Sequence, residues 1–319
     1  MMKRLNKKAL LVSAVLVLCI ILPLVAPTEY FIRVSIICGF YVILAVSLNL
    51  LSGVAGQISL GHIAFYGIGA YTSALLSLKL HIPFLLCFLA AGLMAGLIGF
   101  FIAVPSLRLS GGYLAVITIG FAEVIRLILL NWMGLTRGPM GLVNIPSAGI
   151  FGFEMDSNKR FYFFVLAICL LVIKLIRNIV NSNFGRKLKA IRDDELAAEA
   201  MGINIYKSKI ITFTIVSAIA GLAGSMYAHL MLYIDPSSFI SNESMIILSM
   251  VVLGGMGNIG GSIAAAILLT ALPELLRGFA NYRMLCYGLA LVVLMLMKTI
   301  DKDELKDRLQ SMWKRQAKQ

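Results

Sequence analysis

GRKLKAIRDDELAAEAMGINIYKSK, from Gly185 to Lys209, holds ten charged residues in a chain of which only 13% is charged. Arg186, Lys187, Lys189, Arg192, Lys207 and Lys209 are basic; Asp193, Asp194, Glu195 and Glu199 are acidic. Apolar runs long enough to cross a bilayer flank it on both sides. A segment too polar to enter lipid, held between two spans, sits at one face of a membrane. This polar island therefore sets the topology of everything around it.

The composition agrees. Of 319 residues, 60% are hydrophobic and mean hydropathy is +0.93; a soluble domain is about half apolar and about a quarter charged. Net charge is +13, which in a membrane chain reports basic loops on the inside face rather than nucleic-acid binding. The five cysteines (Cys19, Cys38, Cys87, Cys169, Cys286) are scattered through apolar segments without a C-x-x-C pair, and read as small buried hydrophobes.

A helix needs about 20 apolar residues to span the hydrocarbon. Ten candidates occur, at 9–26, 30–51, 61–79, 83–104, 112–131, 160–178, 208–232, 242–256, 260–277 and 282–298. The first follows MMKRLNKK and resembles a signal peptide, but its length and poor cleavage site read as a retained span. Continuous apolar runs exclude a membrane barrel, whose strands alternate. With the N-terminus inside, ten spans place 20 of the 28 Lys and Arg residues on the island's side, so the island and both termini are expected in the cytoplasm. The expected organisation is an all-α membrane protein with a cytoplasmic tail 1–8, a transmembrane domain 9–298 with a loop at 179–209, and a cytoplasmic tail 299–319. The long outer loop 132–158 reads as a connector or as an external cap touching a delivery protein.

Two stretches are unusual for spans. Leu48–Tyr71 carries five glycines with Gln57, Ser59 and His62; Val251–Ala266 carries Gly254, Gly255, Gly257, Gly260 and Gly261. Glycines of this kind serve close helix packing. Non-helical backbone at membrane depth also lines cavities, and paired Gly-broken segments point to a translocation path. The expected path residues are Gln57, Ser59, Gly61 and His62 in the first stretch, and Gly254, Gly255 and Gly257 in the second. Glu123 with Arg126, and Glu274 with Arg277, are i,i+3 pairs that read as self-neutralising structure; a part in holding a zwitterionic substrate is the weaker reading.

No G-x-x-x-x-G-K-[ST] phosphate loop, H-E-x-x-H or G-x-S-x-G occurs, and the three histidines lie far apart. No cofactor, metal site or enzymatic activity is expected, and any energy from ATP enters through another chain. Within the island, Asp193-Asp194-Glu195 suits a helix start, LAAEAM is helix-forming, and Gly202 fits the stop. A short alanine-rich helix between charges is suited to receive a partner.

These segments resemble a known family. Ala197-Ala198-x-x-x-Gly202 has the spacing of the E-A-A-x-x-x-G coupling loop of ABC importer permeases, with Leu196 at the glutamate position. GRKLKAIRDDELAAEAMGIN, LNLLSGVAGQISLGHIAFYGIGAYTSALL and MVVLGGMGNIGGSI are similar, in order and spacing, to segments of the LivM-type permeases of branched-chain amino acid importers; urea permeases share much of the pattern. The resemblance implies an all-helical importer permease in a bacterial inner membrane. It would pair with a related second permease, two cytoplasmic ATP-binding subunits and a periplasmic or lipid-anchored solute-binding protein. The ATPase-coupling residues would be Arg186, Arg192, Glu195, Ala197, Ala198, Glu199, Ala200 and Gly202. A carrier working alone, or a urea or amide permease, are the alternatives.

Overall fold

The computed structural model describes residues 28–106, 112–150, 153–155 and 157–275, with isolated positions 20, 21, 23, 288 and 292. The spans expected at 9–26 and 282–298, both tails and Arg277 lie outside these, apart from those isolated positions. The chain divides into two compact units, Met1–Ile267 and Leu268–Gln319.

Among the described residues, six helices are long and apolar enough to cross a membrane. Helix α1 (Glu29–Leu48) runs on as a π-helical turn, Asn49–Val54. It is followed by α2 (His62–Leu80), α3 (Phe84–Ser106), α4 (Gly112–Asn131) and α5 (Asn158–Asn181). The island forms two short helices, α6 (Asn183–Asp193) and α7 (Glu195–Ala200), before α8 (Ile205–Met231). Helices α9 (Ser241–Gly254) and α10 (Ile259–Leu275) complete the described chain.

Long-range contacts orient the bundle. At one end, Asn158 of α5 donates to Glu29 of α1 at 3.0 Å and Arg33 to Met231 of α8 at 3.4 Å. At the other, Arg192 of α6 donates to the Gly53 carbonyl, and Tyr206 of α8 to the Val104 carbonyl of α3. The second is the island end.

Helices α1, α2 and α8 form the core, and α3, α4 and α5 are far less buried. Small residues bring the central helices together: a Cβ on Gly224 would lie 1.9 Å from the Tyr66 carbonyl, and one on Gly69 would lie 2.1 Å from that of Gly221. Without a hydrophobic force between helices in lipid, close packing of this kind supplies the attraction. On α8, Gly221 also packs against Ala91 and Ala95 of α3.

The expected candidate 242–256 forms a helix of about the length read from the sequence, too short to span alone. Helix α9 has 14 residues and covers about 21 Å at 1.5 Å per residue, against about 30 Å of hydrocarbon. Before it, the chain leaves α8, pairs β1 (Leu142–Val143) with β4 (Tyr233–Ile234), and descends through a 3-10 turn, Pro236–Phe239. The outer loop also folds over α8: the His229 ring nitrogen meets the Pro146 carbonyl at 2.7 Å, and β2 (Gly149–Ile150) pairs with β3 (Phe153–Glu154).

Candidate functional site

The island behaves as its local chemistry requires. Asp194 caps α7 by accepting from the Ala197 N–H at 3.1 Å. Gly202 takes φ +78°, the left-handed stop that a side chain disfavours. Asn204 then caps α8 by accepting from the Lys207 N–H at 2.9 Å. Glu195 pairs with Lys209 at 2.6 Å, where the carboxylate is 47% exposed and the ammonium 6%.

The expected coupling residues divide between two directions. Arg186, Glu195, Ala197, Glu199, Ala200 and Gly202 are exposed. Ala198 is only 3% exposed and packs α7 onto the bundle. Arg192 reaches inward to Gly53. The largest outward surface on this element comes from residues that composition did not single out as contacts: Leu196 is 79% exposed and Met201 83%.

Arg192 leads to the second part of the site. Its guanidinium donates to the Gly53 carbonyl at 2.5 Å. Gly53 lies against Gly257, whose N–H donates to Asn49 Oδ1 at 2.8 Å. The island, the π-helical end of α1 and the α9–α10 turn thus meet at one point. Gly255 and Gly257 hold that turn at φ +96° and +85°. An open cleft of roughly 440 Å³ lies here, lined by Lys189, Arg192, Asp193, Met256 and Asn258. Gly254 does not reach it as a liner; it packs on Gly261, where an added Cβ would meet the Ser262 N–H at 2.4 Å.

Between α1 and α2 the backbone is neither helix nor strand, and Gly56 takes φ +72°. Ala55, Gln57 and Ser59 face inward while Gly56 and Ile58 are exposed. The polar trio is inside the subunit: Gln57 is 5% exposed, Ser59 1% and His62 2%. His62 bonds Ser47 at 3.0 Å. The freed N–H groups at the start of α2 are taken by hydroxyls: Leu60 by Thr118 of α4, Gly61 by Ser59, and Ile63 by Ser244 of α9. Gly61 is there for contact, since a Cβ would meet the Thr118 carbonyl at 2.6 Å. Both polar atoms of the Gln57 amide are buried with no partner among the described residues, as is Asn49 Nδ2. Unpaired buried groups cost about 1–3 kcal/mol each, which marks this turn as the least settled part of the interior.

The irregular segment is thus bordered by α4 at Thr118 and by α9 at Ser244. Higher on this face lie charges. Glu123 accepts from Arg126 Nε at 2.9 Å, as the i,i+3 spacing predicts, and the pair is 45% and 25% exposed. Ser241, at the start of α9, lies 3.5 Å from Glu123. Tyr41 donates to Glu243 at 2.8 Å. Counting helical rise from the island end, Glu123, Glu243 and Tyr41 all sit roughly 17–20 Å up, about half-way along helices long enough to span roughly 30 Å of hydrocarbon. Charges at that depth face protein or water rather than lipid. Sequence reasoning passed over Glu243, Tyr41, Thr118 and Ser244, because only the depth at which α9 begins gives them significance.

A family model described as branched-chain amino acid transport system / permease component matches residues 30–298. The chain is 36% identical to the high-affinity branched-chain amino acid transport system permease protein LivM of Escherichia coli K12, across 91% of this chain and 73% of that one. It is 28% identical to the probable branched-chain amino acid transport permease protein LivM of Methanocaldococcus jannaschii, across 76% and 80%. It is 25% identical to LivH of Salmonella typhimurium, the high-affinity branched-chain amino acid transport system permease protein, across 81% and 90%. No solved structure matches.

Proposed function

This chain belongs to the branched-chain amino acid transport permease family as a multi-pass membrane subunit, and we propose that it conducts branched-chain amino acids through a bacterial inner membrane as one half of a permease heterodimer. Ten spans, with both termini and the island in the cytoplasm, remain the topology the charge distribution favours. Two cytoplasmic ATP-binding subunits dock at the island, and an external solute-binding protein delivers the substrate over the loop at 132–158. The path follows the face shared by α4, the irregular segment 55–61 and α9, with the related permease opposite. Gln57, Ser59, Gly61 and His62 support this wall from behind, while Gly56 and Ile58 present it. Gly255 and Gly257 close it at the cytoplasmic end.

The observation that carries the reading is α7. It is capped at both ends and anchored by Ala198, yet presents Leu196 and Met201 almost fully to the outside. A carrier that worked alone would leave this apolar tip without an occupant. The test is reconstitution with the cognate ATPases, second permease and binding protein. ATP-dependent uptake of labelled leucine is expected, competed by isoleucine and valine but not by urea. Leu196→Glu with Met201→Glu is expected to release the ATPase subunits from the purified complex without altering the melting of the membrane subunit. Full retention of the ATPases by that double variant overturns the docking assignment.

A further inference from the structure

Helix α9 begins inside the membrane, and its third residue is a carboxylate. Glu243 is only partly buried, and so are Tyr41 and Tyr227 beside it. Tyr41 donates to Glu243 at 2.8 Å, and Tyr66 and Tyr227 lie within electrostatic reach of the carboxylate. These two rings pack at 5.4 Å and stand against Phe239 at 5.7 and 6.1 Å, making a continuous aromatic wall.

Among the described residues, Glu243 makes no ion pair, whereas Glu123 pairs with Arg126 and Glu195 with Lys209. An ionised carboxylate has roughly four lone-pair sites, and one phenol fills a single one. The start of α9 adds a favourable dipole, but a charge at mid-membrane ordinarily has a cationic or aqueous counterpart. The partly exposed side of Glu243 therefore suits an external cation. Tyr41 and Tyr227 beside it are partly exposed as well, and an aromatic face next to a carboxylate favours an organic ammonium, which gains cation–π attraction.

We propose that Glu243, oriented by Tyr41, receives the α-ammonium group of the transported amino acid at the middle of the membrane. Arg126, held at the same level by Glu123 and tied to α9 through Ser241, offers a guanidinium to the substrate's carboxylate. The inference rests on the amino acid permease reading and adds the charged form that the path accepts: a zwitterion with a free ammonium group, not a neutral amide.

The experiment uses the complete complex in proteoliposomes with binding protein, ATP and labelled leucine. Glu243→Gln is expected to lower uptake at least tenfold, while ATP hydrolysis stimulated by the binding protein stays within twofold of native. Glu243→Asp is expected to restore uptake to within threefold, and Tyr41→Phe to fall between. Uptake by Glu243→Gln within twofold of native overturns the assignment. So does loss of uptake and ATP hydrolysis together in an intact complex, which would place Glu243 in the conformational cycle. Release of the second permease by Glu243→Gln also overturns it, because the missing cation would then belong to that partner. A native complex that moves urea but no amino acid overturns the permease reading itself, and this inference with it.

Discussion

Replacing Gly53 with alanine puts a methyl group at the point where the island meets both glycine-broken stretches. The new Cβ would lie 1.9 Å from Asn49 Oδ1 and 2.3 Å from the Gly257 nitrogen. The asparagine side chain can swing aside, but Gly257 offers backbone, so the α9–α10 turn has to retreat by about 1 Å to reach ordinary contact. That movement breaks the Asn49–Gly257 hydrogen bond of 2.8 Å, a loss of about 1 kcal/mol. Overpacking adds about 1–3 kcal/mol. A total of roughly 2–4 kcal/mol falls short of the 5–15 kcal/mol that typically holds a protein folded. The Gly53 carbonyl also receives Arg192, so the disturbance bears directly on the island's attachment. We predict that Gly53→Ala assembles with its partners and supports ATP hydrolysis, while leucine uptake per ATP falls about tenfold. Gly112→Ala is the control: it lies in a helix at ordinary φ, and a Cβ there meets nothing within 4 Å. Normal coupling in Gly53→Ala, or equal damage from Gly112→Ala, would refute the idea that this junction transmits motion.

Two further predictions concern stability. Glu195→Ala is expected to lower the melting temperature more than Lys209→Met, because the first strands a buried ammonium whereas the second leaves a half-exposed carboxylate that water can cover; the reverse order in thermal melts of the purified subunit would contradict the pairing. Gly224→Leu is expected to destabilise by about 3 kcal/mol or more, since even its Cβ would collide with the Tyr66 carbonyl at 1.9 Å. An unchanged melt in detergent would mean that α2 and α8 do not approach so closely.

Much of the architecture was legible where the controlling physics is local. The island's two helices followed from propensity, the Asp194 cap and the Gly202 stop, all set within a few residues. The Glu123–Arg126 pair followed from helical spacing alone. The polar trio was legible as unusual but not in its direction. Alternation along 55–59 turns Gln57 and Ser59 inward and Gly56 and Ile58 outward, and with apolar Ala55 on one face and Ile58 on the other no hydrophobic signal says which face is which.

Sequence by itself therefore determined that the chain crosses a membrane as helices, and that one charged segment stays at its surface, because hydropathy over twenty residues decides both. The family followed as well, because three long segments kept their order. Only the tertiary structure showed that Arg192, itself exposed, also bonds the membrane domain, since its contact, Gly53, is 139 positions away. Only the tertiary structure set Glu243 against the middle of α1: a 14-residue helix reads as a weak span until its start is seen bonded to Tyr41 and its neighbour Ser244 to Ile63. Depth in a bilayer is set by which helices a segment packs between, and that information is spread over the whole fold.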